Sequence, residues 1–367
     1  MAKIYASPSS YVQGKGILLK SKKYIKRLGK RALTLAGPNA LKIIGNEYNQ
    51  YLKDSGFEVQ PVTFNGESSM DEIKRIVKIG KDFKADMIIG LGGGKTLDTA
   101  KAIANKLKTK VAILPSLAST DAPCSRLSVI YHSDGSFSKY LFYDKNPDLV
   151  LVDTTLVAKA PVRFLASGIG DALATNVEAQ AVVKHDGNTT LGGKQTLVGN
   201  AIAQKCQETL FKYGKEALIS VKNGIDSKAL DNVIEANILM SGLGFESGGL
   251  AAAHAIYNGM TVLHGDISKM MHGEKVAFGT LTQLFLEGVD IKRFDKFLDF
   301  ELQIGLPTTF KDLRIPNIKD DELLKVAHAA NSSNDTMGEM PFEVSDDDIV
   351  QAMKAVNAYS IDYQNLK

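Results

Sequence analysis

The sequence predicts two halves of different class: an α/β half organised on a parallel sheet, followed by an all-α half. Three observations predict it. Over the first 160 residues short β-branched runs alternate with amphipathic stretches; after Pro161 the strand patterns stop; and four glycines crowd into positions 90–94, between one apolar run and the next helical pattern. Alternating strand and helix patterns favour a parallel sheet covered by helices on both faces.

Taken in order, the candidate strands are 32–36, 58–62, 87–89, 111–114 and 149–152, with helical patterns over 39–54, 69–84 and 96–107. Residues 127–131 and 139–143, separated by His-Ser-Asp-Gly-Ser at 132–136, read as a hairpin beside the sheet. Beyond residue 161 alanine, leucine, lysine and glutamate dominate, and helical periodicity runs to the end of the chain. Domains are therefore expected at 1–160 and 161–367. There is neither an internal repeat at fixed period nor a low-complexity tract.

Composition excludes several classes. The chain has 367 residues, 44% of them hydrophobic, enough to bury a large core in two domains. Its 44 basic and 41 acidic residues nearly cancel, and the densest basic run, 20–31, reads as a solvated helix face rather than a nucleic-acid footprint. Two cysteines, Cys124 and Cys206, are too few for a disulfide framework and fit a reducing compartment. No apolar signal region opens the sequence, and no apolar run reaches the ~18 residues that a membrane span needs. The expectation is a soluble cytoplasmic protein with neither nucleic-acid nor membrane partners.

Residues 90–101, Gly-Leu-Gly-Gly-Gly-Lys-Thr-Leu-Asp-Thr-Ala-Lys, are the most informative stretch. A glycine turn between strand and helix lets backbone N–H groups approach a phosphate, and the helix start adds partial positive charge. Neither standard phosphate motif fits. A Walker loop needs glycine five positions before Gly94, where Ile89 stands, and the dinucleotide fingerprint started at Gly90 would place its third glycine at Lys95. A tight turn that binds nothing is the plain alternative.

The helical half holds three ionisable groups in small or apolar surroundings: Asp171 among glycines, His254 in Leu-Ala-Ala-Ala-His-Ala-Ile, and His272 ahead of an amphipathic helix. One carboxylate and two imidazoles suit zinc at a catalytic site. Singly, each has an ordinary role: Asp171 as an N-cap, His254 as a core histidine bonded to a carbonyl, His272 as a helix start. The separations, 83 residues and then 18, match no local zinc pattern. Spacing alone leaves both readings open. His132, His185, His264 and His328 read as loop or surface histidines.

Six blocks taken together are more specific than any of these motifs. They are residues 7–14, 92–101, 119–125 (Ser-Thr-Asp-Ala-Pro-Cys-Ser), 169–175 (Ile-Gly-Asp-Ala-Leu-Ala-Thr), 244–255 and 272–279 (His-Gly-Glu-Lys-Val-Ala-Phe-Gly). In this order they resemble the glycerol dehydrogenases, which share a fold with iron-containing alcohol dehydrogenases and dehydroquinate synthases. The resemblance implies a Rossmann-like NAD-binding domain with a helical metal- and substrate-binding domain. It implies zinc- and NAD-dependent oxidation of glycerol to dihydroxyacetone, reversibly, in a homo-oligomer, often an octamer. The implied zinc ligands are Asp171, His254 and His272. Gly93, Gly94 and Lys95 would hold the pyrophosphate, with Asp98 in the same region. Ser116 and Ser119 would line the cofactor, Ser125, Leu127 and Tyr131 would lie near the nicotinamide, and Asp121 would bind substrate hydroxyls.

Two departures sharpen this. Iron-using relatives carry a further histidine four residues after the aspartate, where this chain has Thr175. Many glycerol dehydrogenases carry an acidic residue after the second strand, on the adenosine ribose; here Gly37 stands, which implies NAD preference with weak discrimination against NADP. Other diols or hydroxyketones (1,2-propanediol, 2,3-butanediol, hydroxyacetone) and, more remotely, a metal-dependent lyase reaction of the dehydroquinate synthase kind are the alternatives.

Overall fold

The computed structural model describes residues 1–132 and 135–366. The chain forms two compact units. One comprises Ala6–Pro161 with Ser220–Gly242; the other comprises Met1–Tyr5, Val162–Ile219 and Leu243 onward. The longest single stretch of the first unit ends at Pro161. Ser220–Gly242, assigned by sequence to the helical half, instead packs with the sheet.

The first unit is built on β1 (Tyr11–Gly14), β2 (Arg31–Ala36), β3 (Glu58–Thr63), β4 (Met87–Gly92), β5 (Lys110–Pro115) and β8 (Leu149–Asp153), with β6 (Leu127–Tyr131) and β7 (Phe137–Phe142) forming a separate hairpin. All six strands of the main sheet run parallel, in the order β1-β8-β5-β4-β2-β3. β4 and β8 are buried along their whole length, as is β5 after Lys110. Parallel strands covered on both faces read as continuous apolar runs, which is why these three were evident in the sequence. Edge strand β1, half-buried throughout, was not. The antiparallel hairpin forms as expected, although Ser133 and Asp134 of its turn lie outside the described residues.

The strand order places a switch point. From β2 the chain passes to β3 on one side; from β4 it passes to β5 on the other, while β2 and β4 are direct neighbours with Ala36 opposite Leu91. Ligands of open parallel sheets bind beyond the carboxyl ends of two such strands. Gly37 and Gly93 follow those ends.

The second unit is organised around the helix His272–Leu286, buried at every position from Gly273 to Leu284. A helix covered on all sides must satisfy its polar groups internally. Thr280 and Thr282 do so by donating to the carbonyls of Val276 and Phe278 at 3.0 and 2.9 Å. Glycines set how closely its neighbours approach. A Cβ on Gly273 would strike the Ser167 carbonyl, one on Gly170 the Gly273 carbonyl, and one on Gly279 the Ala253 carbonyl. The central helix therefore touches both Val162–Lys184 and Ala252–Met260 backbone to backbone. Among the described residues, no helix is long and apolar enough to cross a membrane.

One core group is out of keeping. Glu301 is fully buried, neither carboxyl oxygen has a hydrogen-bond partner, and burial pushes its pKa well above the ordinary value. Its folded form keeps the proton after the unfolded form has lost it, so stability falls as pH rises above about 4.3 until the folded carboxyl ionises. Urea denaturation across pH should show that Glu301→Gln removes a component of up to about 1.4 kcal/mol per pH unit from that decline.

Candidate metal centre and cofactor turn

Asp171 lies within the helix Val162–Lys184, His254 in the first turn of Ala252–Met260, and His272 opens His272–Leu286. Asp171 is therefore not an N-cap. The glycine contacts just described bring the three together: Asp171 Oδ1 lies 3.0 Å from His272 Nε2 and 3.3 Å from His254 Nε2. One ligand-capable atom from each falls within 4.8 Å of the others, the only such group among the described residues.

The electrostatics favour a cation. Burial alone would push the Asp171 carboxyl up, but the His272 and His254 imidazoles outweigh it and hold the group well below the carboxylate range. Burial would push His254 down; Glu178 and Asp171 outweigh it and push it well up. Glu178, completely buried, approaches His254 Nδ1 at 2.6 Å. His254 thus sits between two buried carboxylates, and His272 reaches Asp171 beside it. A divalent ion balances those two charges, and an oxygen and two nitrogen donors suit zinc or iron. His272 remains 29% exposed, so this side of the cluster is reachable. Its ring meets Tyr257 edge-on at 4.2 Å, with Lys275 Nζ 5.0 Å over that tyrosine.

In the other unit, the glycines at the end of β4 divide into two kinds. Gly90 is a packing glycine, since a Cβ there would meet Ala100 Cβ at 2.5 Å. Gly92, at φ +155° and with Thr96 Oγ1 2.9 Å from an added Cβ, turns the chain. Gly93 and Gly94 are different: a Cβ would find only ordinary contacts, 3.6 Å to Leu117 and 3.5 Å to Thr120, and at Gly37 nothing within 4 Å. The fold does not require glycine at 37, 93 or 94. All three leave room beyond the switch point, and Gly93 and Gly94 begin the helix Gly94–Leu107 where N–H groups are unpaired. These residues fit a dinucleotide.

The remaining predicted residues take varied places. Lys95, in the first turn, pairs with Glu67 Oε2 at 2.7 Å and lies 4.7 Å over the Tyr131 ring. Asp98 is turned inward: it pairs with Lys101 at 2.8 Å and accepts from Val129 N at 3.0 Å. Burial pushes its pKa up against the pull of Lys101. Lys101 Nζ also reaches the carbonyls of Ala122, Ser125 and Leu127, so this buried pair fixes the loop after β5. Ser116 N bonds Gly92 O at 2.9 Å, bringing that loop beside the glycine turn. Ser119 is half-buried, and buried Ser125 donates to Ala122 O at 3.2 Å. Asp121, almost buried, accepts from Ser241 Oγ at 2.9 Å, and Asn237 Nδ2 donates to Ala118 O at 3.0 Å. His264 is exposed and outside the cluster.

Residues 8–154 match the pattern of the iron-containing alcohol dehydrogenase family. Glycerol dehydrogenase 1 of Schizosaccharomyces pombe is 44% identical over 363 residues, 99% of this chain and 80% of that one. The chain belongs to this alcohol dehydrogenase family. Glycolaldehyde reductase of Halobacterium salinarum is 45% identical over 345 residues, 94% of each chain. The crystal structure of the S. pombe glycerol dehydrogenase superposes with a TM-score of 0.97 at 43% identity, covering 100% of this chain and 93% of that one. Family membership makes this a metal-dependent alcohol dehydrogenase fold, with an α/β half and a helical half as the sequence predicts.

Sequence reasoning missed Glu178, Lys101, Glu67, Asn237 and Ser241. Two left a signal: Lys101 stands at i+3 from Asp98, and Glu178 is a lone acid in an apolar stretch seven residues after Asp171. The close helix approach gives a direct test. Gly273→Ala should cost about 1–3 kcal/mol through overpacking and weaken zinc binding by separating Asp171 from His272. Thermal unfolding and zinc titration of the same variant check both effects.

Proposed function

We propose that this chain is a zinc- and NAD-dependent glycerol dehydrogenase, oxidising the secondary alcohol of glycerol to dihydroxyacetone and reducing NAD to NADH, reversibly. The convergence of Asp171, His254 and His272, with Glu178 behind them, carries the reading. Zinc is preferred over iron because Thr175, four residues beyond Asp171, stands where iron users add a histidine. When bound, such an ion lowers the pKa of a coordinated hydroxyl and so makes hydride loss from the adjacent carbon feasible near neutral pH.

The chain's own residues supply binding and alignment. Backbone N–H groups at Gly93 and Gly94 would hold the pyrophosphate, with Lys95 beside them. Ser116 and Ser119 would line the cofactor, and Ser125, Leu127 and Tyr131 the nicotinamide. Asp121, steadied by Ser241, offers a carboxylate to a polyol hydroxyl. Asp98 is better read as an anchor for the loop than as a cofactor contact, since Lys101 and Val129 occupy it. The oxidised carbon gives up a hydride and the hydroxyl a proton, and no nucleophile is needed. Cys124 and Cys206 are both buried and do not pair with each other in a disulfide, which supports a reducing cytoplasm.

A second reading is favoured by the likeness to glycolaldehyde reductase: reduction of a small hydroxyaldehyde by the same groups. A lyase reaction on a phosphorylated acid is disfavoured by residues 116–125, which contain no lysine or arginine. Absorbance at the reduced nicotinamide band, with glycerol and NAD and with glycolaldehyde and NADH, ranks the first two. Chelation should abolish both, and a zinc-loaded sample inert towards glycerol sinks the main reading.

Cofactor choice turns on Gly37. Without a carboxylate there, preference for NAD over NADP in kcat/KM is expected below about a thousandfold, or about 4 kcal/mol. Gly37→Asp should raise that preference about fivefold or more, from roughly 1–4 kcal/mol of repulsion against the 2′-phosphate. An unchanged ratio would remove position 37 from the ribose site.

A further inference from the structure

We infer that Glu178 is a positioning residue that sets the metal affinity of the cluster by fixing the tautomer of His254. The inference rests on the metal reading above. The helix Ala252–Met260 starts at Ala251 without a side-chain cap of its own. Glu178 replaces one from another helix: its Oε1 accepts the backbone N–H groups of Ala251 and His254, both at 2.9 Å. Its Oε2 takes the remaining donor, His254 Nδ1, at 2.6 Å. The next orphan N–H, at Ala253, goes to Gln283 Oε1 at 2.9 Å.

An ionised carboxylate only accepts, so all three donors are met and Nδ1 must carry its proton. In the neutral ring this leaves the lone pair on Nε2, the atom that faces Asp171. A carboxylate behind a ligating imidazole also raises its basicity. Glutamine has the same shape but only one accepting end. If its oxygen meets the two backbone N–H groups, its NH2 faces Nδ1 and selects the tautomer with hydrogen on Nε2, which cannot ligate. If it turns round, the NH2 faces two N–H donors. A purely structural cap would lose stability in that variant without a matching loss of metal affinity.

The test uses the full chain, stripped of metal and titrated with zinc against a chromophoric chelator. E178Q should weaken zinc binding by about 10–100-fold, a typical cost for an orienting partner of a ligand. E178D keeps the charge but shortens the reach, and should fall between E178Q and the natural chain. Imidazole 15N shifts of the zinc-loaded natural protein should report a proton on Nδ1 of His254. Zinc affinity unchanged in E178Q overturns the inference; should E178Q not fold, unchanged affinity in E178D does so. If the natural chain itself binds zinc no better than Asp171→Asn, the metal reading fails instead.

Discussion

The meeting of Asp171, His254 and His272 depends on three helices approaching closer than side chains ordinarily allow. Gly170 and Gly273 place the start of the His272 helix against the carbonyl of Ser167, and Gly279 places its middle against Ala253. Interiors are close-packed, so an added methyl group cannot be absorbed by a void. With glycine at these points, a short aspartate side chain spans the gap to two imidazoles. The same contacts bring Glu178 and Gln283, from two different helices, onto the open N–H groups of the third. Ligand placement and helix capping are one structural solution.

The sheet unit solves a different problem. It leaves open space at Gly37, Gly93 and Gly94, where an added Cβ would meet nothing closer than 3.5 Å. Around that space the supports are rigid. The Lys101–Asp98 pair is buried, and a buried pair is costly unless further hydrogen bonds complete it. Here the lysine's remaining donors go to carbonyls of the loop after β5, and the aspartate accepts from Val129. Ser220–Gly242 adds Asn237 and Ser241 to the same loop. A segment that looks helical by periodicity belongs to the sheet unit because it holds the loop, not because it forms a strand.

Legibility followed burial and locality. β4, β5 and β8 could be read because two-sided burial writes an unbroken apolar run, and the hairpin because its turn residues are local. β1 could not, since an edge strand of Tyr-Val-Gln-Gly has no such signature. Asp171, His254 and His272 were visible as ionisable groups in apolar surroundings, yet their meeting was not, because it is set by glycine contacts between helices distant in sequence. Their selection came from the resemblance. Ser241 and Asn237 left no local signal: a hydroxyl or amide holding a loop looks like any other polar residue. Within the glycine stretch Gly90 serves packing, while Gly93 and Gly94 meet only ordinary contacts.

The two buried acids of the metal unit show why composition alone could not assign them. Both lie on one helix, seven residues apart, and both face imidazole. Glu178 has its oxygens occupied by two backbone N–H groups and Nδ1, so its charge is compensated by fixed donors whatever occupies the cluster. Asp171 Oδ1 instead receives two Nε2 atoms converging on one side, at 3.0 and 3.3 Å. Those nitrogens can attract a carboxylate only while they carry hydrogen, and they can share a cation with it only when they do not. A buried charge whose partners have a second way of meeting it is suited to ligation; one whose partners are fixed is suited to orientation. Donor saturation, rather than acidity or burial, separates the candidate ligand from its support.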